Sequence, residues 1–265
     1  MTDPNLADCL AFARDLAVAA GAAILPHFRT PLAIENKGDA RDYDPVTQAD
    51  RAAETLIRDA IRRRYPEHGI RGEEAGIDKG RSAFTWVIDP IDGTRSFVLG
   101  QLHWGTLIAL HDGTRPVLGV MHQPFVGETF SALASGAAMW QRGDALRTLR
   151  VRRCARLEDA MLACTTPEMF PTTGEREAFE RLSARVRLTR FGSDCYGYCL
   201  LAMGLVDLVV ESDLQAYDVQ ALIPIVEAAG GVMTRWDGTP CGEGGAVVAC
   251  GDRALHAQVL SVLAA

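Results

Sequence analysis

Asp89-Pro-Ile-Asp92-Gly-Thr94 follows the apolar run Trp86-Val-Ile88 and places two carboxylates three residues apart on a turn. Pro90 fixes φ and Gly93 lets the backbone reverse sharply, so both acids can face one point with the Ile91 carbonyl between them. Hard divalent cations such as Mg²⁺ take that set of oxygen ligands. The amides after Gly93 are then placed to meet a phosphate, as N–H groups at a turn or helix start do. A plain polar β-turn uses the same residue types, and this segment by itself leaves both readings open.

Three further segments carry acids of the same kind. Gly72-Glu73-Glu74 ends the Gly69-Ile70-Arg71 run, although paired glutamates are also ordinary solvated surface. Tyr217-Asp218-Val219 opens a helical stretch that ends at Glu227-Ala-Ala-Gly-Gly231, where Asp218 would equally serve as an N-cap. Asp44-Pro-Val-Thr-Gln-Ala-Asp50 precedes another helical stretch, and Asp50 could cap or decorate it. The cysteines (Cys9, Cys154, Cys164, Cys195, Cys199, Cys241, Cys250) are odd in number and form no C-x-x-C pair. They read as reduced thiols packed as small hydrophobes, which excludes a zinc site and points to a cytoplasmic protein. The histidines (His27, His68, His103, His111, His122, His256) match no metal spacing.

The elements that must position these acids follow from periodicity. Leu6, Leu10, Ala13, Leu16, Ala17, Ala20 and Ile24 recur at helical spacing, which predicts a helix over about 4–28. The charged, turn-rich segment from Lys37 to Pro45 reads as an exposed loop, and about 48–65 as a second helix. Strands are expected at 84–88, 102–110, 115–121 and 128–133, separated by turn residues in the pattern of an antiparallel sheet. After about residue 150 the rhythm becomes α/β: strand 160–164, helix 174–185, strand 187–191, helix 194–203, strand 206–211, helix 218–229, strand 246–250 and a last helix from 252. The expected class is therefore α/β in layers. Residues 1–145 would supply a helix pair and a mainly antiparallel sheet with the metal motif, and 146–265 an α/β sub-domain, in one catalytic unit.

The chain has 265 residues, 48% apolar and 23% charged, with a net charge of −7. That balance excludes disorder and coiled coil, and it gives no bulk electrostatic reason to bind nucleic acid or an anionic membrane. The longest stretch free of charged residues, Ser96 to His111, is too short and polar to span a bilayer, and Asp3, Asp8, Arg14 and Asp15 interrupt any signal-peptide core. An anionic ligand would need positive charge brought in locally, and a metal ion supplies it.

Taken together, the four acidic motifs resemble the inositol monophosphatase superfamily of metal-dependent, often lithium-sensitive phosphatases, in the family's order from about Lys37 to Gly231. The resemblance implies an αβαβα sandwich. It implies that Glu73, Asp89 and the Ile91 carbonyl hold a first Mg²⁺, and that Asp89, Asp92 and Asp218 hold a second. Thr94 would match the hydroxyl that, with the metal and Glu73, positions and activates the attacking water, and Asp50 the acidic partner of that threonine. The Gly93 and Thr94 amides would hold the phosphate. The Lys37–Asp44 loop would match the segment that closes over the site and helps a third Mg²⁺ bind. Relatives are commonly homodimers.

The segment after the metal turn departs from inositol-type members, which carry Asn near position 96 and a basic residue or His near 99; here these are Ser96 and Leu99. Gly105-Thr-Leu-Ile-Ala-Leu110, Arg190-Phe-Gly-Ser-Asp-Cys-Tyr-Gly-Tyr198 and Tyr217-Asp-Val-Gln-Ala-Leu-Ile-Pro224 look instead like the histidinol-phosphate phosphatase branch. Histidinol phosphate carries an ammonium and an imidazole, so its pocket should offer anions. Asp194, beside Ser193, sits where inositol-type members have a small residue, and Glu211 matches their substrate-contacting glutamate; both suit charge-assisted hydrogen bonds. Asp194 could instead cap the helix that follows, and Tyr196 and Tyr198 could frame the imidazole or belong to the core. The expectation is Mg²⁺-dependent hydrolysis of L-histidinol phosphate. The alternatives are inositol 1-phosphate or a broad set of sugar phosphates, and a non-catalytic relative that binds phosphate ligands or a partner protein.

Overall fold

The computed structural model describes residues 4–31, 34–36 and 45–265. Helix α1 (Leu6–Ile24) starts where the Asn5 side chain accepts the Ala7 amide at 3.0 Å, and it continues into a 3₁₀ turn, Leu25–His27. By length and composition Leu6–His27 is apolar enough to cross a membrane. In the fold, Cys9, Ala13, Leu16, Ala17 and Ala20 bury one face against the next helix and the first sheet. After the short pair β1 (Ile34–Asn36) and β2 (Pro45–Thr47), helix α2 (Gln48–Arg64) opens on a capping box: Thr47 caps it and Asp50 reaches back to the Thr47 amide.

The first sheet has the order β10-β9-β8-β7-β6-β5-β3-β4. Its strands are β3 (Gly69–Gly72), β4 (Gly76–Asp78), β5 (Thr85–Asp92), β6 (Gly105–His111), β7 (Pro116–Gln123), β8 (Glu128–Leu133), β9 (Met139–Arg142) and β10 (Ala145–Thr148), with the short helix α3 (Thr94–Val98) after β5. All neighbours are antiparallel except β3 and β5. The strand expected to stop at Ile88 therefore runs on to Asp92, because the Asp-Pro-Ile-Asp segment stays paired to β6. The β9–β10 hairpin and the β3–β4 hairpin were not expected; their strands are short and alternate weakly.

The second sheet has the order β12-β11-β13-β15-β14, from β11 (Met161–Cys164), β12 (Leu188–Phe191), β13 (Leu208–Leu214), β14 (Val232–Arg235) and β15 (Gly245–Cys250). β11 lies parallel to β12 and β13, and the β13–β15 and β14–β15 pairs are antiparallel. Helices α4 (Thr173–Ser183), α5 (Asp194–Ala202), α6 (Ala216–Val219), α7 (Leu222–Ala228) and α8 (Arg253–Leu263) connect and cover it. The single helix expected over 218–229 is two, α6 and α7. Pro224 explains the break, since its ring would strike the Gln220 carbonyl of a continuous helix.

Three packed interfaces define the layers. α1 and α2 cover one face of the first sheet through Trp86, Ile88, Ile108 and Leu118. α5 and α7 fill the space between the sheets, meeting Leu107, Met121 and Phe130 on one side and Val209, Val247 and Ala249 on the other. α4 and α8 seal the far face of the second sheet through Phe179, Leu182, Leu255 and Val259. This is the α/β fold, in the αβαβα order that the family resemblance implies. Gly119 on β7 sets the spacing of the middle layer: a Cβ there would lie 1.9 Å from the Ala221 carbonyl, so only glycine lets the α6–α7 junction settle onto the sheet.

Candidate active site

The centre of the site is an irregularity in β5. Asp89 pairs with Leu107 and Asp92 with Gly105, so three steps on β5 match two on β6. In a regular strand, residues an odd number apart point to opposite faces. The extra residue reverses the alternation and lets Asp89 and Asp92 serve one side. Pro90 fits here because a bulge needs no ladder donor, and the Thr106 hydroxyl donates to the Pro90 carbonyl at 2.8 Å. From the other sheet's side, α6 brings Asp218. Carboxylate oxygens of Asp89, Asp92 and Asp218 lie within 4.8 Å of one another.

Each of the three acids is pinned by one backbone amide. Ile91 donates to Asp89 Oδ1 at 3.0 Å, Cys195 at the start of α5 to Asp92 Oδ2 at 2.8 Å, and Gln215 to Asp218 Oδ2 at 2.6 Å. Asp218 is thus not the N-cap that its sequence position allowed; Gln215 is, and Asp218 closes the box from the third helical position. Asp89 is 2% exposed. Burial, then the charges of Glu73, Asp92 and Asp218, hold its carboxyl well above the usual carboxylate range. Burial and the Asp92 charge raise Asp218 in the same way. Burial, with Asp194 and Glu211 nearby, pushes Asp92 up to about 7 despite the Cys195 hydrogen bond. Acids forced this close, with no basic side chain among the groups that shift them, fit a hard divalent cation.

Glu73 stands on the turn between β3 and β4, close enough to Asp89 to hydrogen-bond with it. Thr94 opens α3, with Gly93 as its N-cap at φ +80°. The Thr94 hydroxyl donates to the Ile91 carbonyl at 3.0 Å. Asp50 was expected to pair with that threonine, and here the structure differs. Asp50 Oδ2 accepts from the Thr47 amide at 2.9 Å and from the Thr47 hydroxyl, while Oδ1 is buried with no hydrogen-bond partner. The capping box of α2 and the Ile91 carbonyl compete successfully for the two groups. The Lys37–Asp44 loop lies outside the described residues.

Beside Asp92 and Asp218 is a cavity of about 160 Å³ whose wall includes Thr165, Asp194, Tyr198 and Glu211. Glu211 is buried; Oε1 accepts from the Thr165 amide at 2.9 Å and hydroxyl at 2.6 Å, and Oε2 from the Tyr198 hydroxyl at 2.9 Å. Burial nevertheless pushes it up to about 7. Asp194 does not cap α5 with its side chain. It is the first helical residue, at φ +41°, and its carboxylate accepts the Ser96 hydroxyl at 2.7 Å. Burial raises it to about 6, opposed by Ser96 and Arg95. Ser193 is the N-cap residue of α5, its hydroxyl buried without a hydrogen-bond partner, and it is not part of the cavity wall. Tyr196 turns away, donating to Glu128 and packing edge-on against Phe130 at 5.9 Å.

Thr165 was missed, although it holds both Glu211 and Asp194. It follows directly on β11, and residues just beyond the carboxyl ends of parallel strands are where α/β sheets place ligand contacts. All seven thiols are buried and free, and burial raises each above its ordinary value. None offers the low-pKa thiolate of a cysteine nucleophile.

Residues 5–265 match the model of the inositol monophosphatase family. The bifunctional phosphatase IMPL2, chloroplastic, of Arabidopsis thaliana is 39% identical over 99% of this chain and 77% of its own length. The histidinol-phosphatase of Streptomyces coelicolor is 36% identical over 98% of both chains. Among solved structures, an inositol monophosphatase from Zymomonas mobilis superposes with a TM-score of 0.87 at 38% identity, covering 99% of this chain and 100% of that one.

Proposed function

The chain belongs to the inositol monophosphatase family and is a phosphatase, and from that premise we propose that it hydrolyses L-histidinol phosphate to L-histidinol and phosphate with Mg²⁺. The observation that carries the substrate is the pair of carboxylates Asp194, half-buried, and Glu211, buried, in the wall of the cavity that also holds Asp92 and Asp218. Glu211 could take a polyol hydroxyl as well, as its match in inositol-type members does, so Asp194 is the acid that favours an ammonium or imidazolium, through a charge-assisted hydrogen bond. Similarity to the Streptomyces coelicolor histidinol-phosphatase supports the same reading.

In this reading Glu73, Asp89, the Ile91 carbonyl, Asp92 and Asp218 hold the ions, two or three per site. Bound there, divalent cations would supply the positive charge that draws a phosphate monoester into an acidic pocket and would acidify a water. The chain's own groups do the rest. Gly93 and Thr94 present amides at the start of α3 to the phosphate. The Thr94 hydroxyl, held by the Ile91 carbonyl, and Glu73 orient the water, and Asp50, whose Oδ1 is unpartnered, would assist them. Asp194 and Glu211 take the cationic end of the substrate.

Inositol 1-phosphate is the second reading, favoured by the close structural match to the Zymomonas enzyme. Phosphate release in Mg²⁺ across L-histidinol phosphate, inositol 1-phosphate, fructose 1,6-bisphosphate and glycerol phosphate separates them. Histidinol phosphate is expected to lead by about a hundredfold in kcat/KM, roughly 2.7 kcal/mol of discrimination. Level rates across the panel would remove the substrate assignment and leave the phosphatase.

A further inference from the structure

Asp50, Glu54 and Arg58 recur at i, i+4 and i+8 on α2, so they line one face of that helix, and all three are buried. Asp50 belongs to the site already described; Glu54 and Arg58 have no place in it so far. The Glu54 and Arg58 side chains are 1% and 4% exposed. Glu54 Oε2 accepts the Glu74 amide at 2.8 Å, and Oε1 accepts the Ala75 amide at 2.9 Å. These are the two amides that follow Glu73. Arg58 Nε donates to the same Oε1 at 2.7 Å, another guanidinium nitrogen donates to the Gly76 carbonyl, and Nη1 lies 3.2 Å from Asp78 Oδ2. The grip reaches the other arm of the hairpin as well. A Cβ on Gly72 would fall 2.3 Å from Glu54 Oε1 and 2.8 Å from Arg58 Nη2, so glycine is what admits the pair.

We infer that Glu54, neutralised by Arg58, is a positioning residue that fixes the 73–76 turn so that Glu73 meets Asp89, and that it thereby sets the affinity of the site for its divalent ion. This rests on the reading of Glu73 as a metal ligand. An ion pair serving stability alone can be satisfied by its two side chains. Here both oxygens of Glu54 hold consecutive amides of the turn that carries Glu73, and the guanidinium holds the next carbonyl. The charge logic agrees: a second bare carboxylate beside Glu73 would compete for the ion or repel its ligands, and Arg58 removes that charge. Outer partners that orient ligands in this way typically change metal affinity by about 10–100-fold when lost.

The test titrates Mn²⁺ into protein without substrate, reads free ion by electron paramagnetic resonance, and records thermal midpoints alongside. Wild type is compared with E54Q, D92N and D207N. Asp207 is an equally buried acid, paired to Arg152 just before β13, so D207N reports what loss of a structural ion pair does by itself. E54Q is expected to weaken Mn²⁺ binding by about tenfold or more, with D207N binding as wild type although its midpoint falls. G72A, which drives a methyl into the Glu54 carboxylate, gives a second route should E54Q fail to fold, and is expected to weaken Mn²⁺ in the same direction. Wild-type affinity in E54Q or G72A overturns the inference, as does equal weakening in E54Q and D207N. If D92N binds like wild type, the reading of the metal site itself fails and takes the inference with it; loss in D92N with full affinity in E54Q condemns the inference only.

Discussion

Asp207 and the Asp89–Asp92–Asp218 group are both acids at sheet level, and the fold treats them in opposite ways. Asp207 is 0% exposed, receives two guanidinium nitrogens of Arg152 and the Met161 amide at 2.8 Å, and ties the start of β11 to β13. Asp89 and Asp92 of the β5 bulge and Asp218 of α6 receive one amide each, and burial together with neighbouring carboxylates raises all three. Asp207 is complete as it stands. The triad carries negative charge that no basic side chain offsets and that a cation could balance, and its cost of assembly fits a site kept for binding.

The sharpest way to break that contrast is to neutralise one acid of each kind. D92N is expected to lower turnover at least about 1000-fold, as loss of an electrostatic group at the reacting centre does, while the thermal midpoint without metal stays level or rises because a like charge is gone. Activity within a few-fold of wild type would dissolve the contrast. D207N is expected to do the reverse. Because Arg152 reaches water, losing the pair should cost only what hydrogen bonds to a charged group are worth, about 1.5–3 kcal/mol, with kcat and KM at 25 °C unchanged. A change in kcat would show that the second-sheet pair also serves the site.

Asp194 lies between these extremes, half-buried and bonded to Ser96. D194A is expected to reduce kcat/KM for histidinol phosphate by about 10–100-fold, the value of a charge-assisted contact, and to change glycerol phosphate only a few-fold. Equal losses on both esters would make Asp194 a structural residue like Asp207.

The smallest expected effect is a pH trend. Without metal, Asp92 and Glu211 are pushed up to about 7 and Asp194 to about 6, above the unfolded carboxylate range. The folded state then binds more protons than the unfolded one between roughly pH 4 and 7. The stability these groups contribute is present at low pH and is lost as pH rises through the folded values. In EDTA the thermal midpoint should therefore decline from pH 5 to pH 8 relative to D92N, and saturating Mg²⁺ should flatten the decline. A midpoint rising over that window in EDTA would contradict the raised state of these carboxylates, which burial chiefly causes.

The acids of the triad were legible in the sequence because Pro90 and Gly93 announce a forced turn and because the motifs occur in a family's order. Their convergence was only partly legible. The bulge that brings Asp89 and Asp92 to one side is a register shift against β6, and register is a property of two strands. The division of α6 from α7 could have been read from Pro224. Thr165, Glu54 and Arg58 gave no local signal, since a buried threonine after a strand and an i,i+4 Glu–Arg pair on a charged helix look the same when they serve no site. The Asp50–Thr94 contact went the other way: the resemblance supplied the pair, and the capping box with Thr47 takes one oxygen of Asp50 while the other stays unpartnered. Layer order came with the family; the apolar periodicity of α1 and β5–β8 carried only the elements.

The most direct test is phosphate release from L-histidinol phosphate by one preparation taken through Mg²⁺, then EDTA, then restored Mg²⁺. Turnover is expected to appear, vanish and return. Release that persists undiminished in EDTA would mean that Asp89, Asp92 and Asp218 do not wait for a cation, and that the bulge in β5 serves some other end.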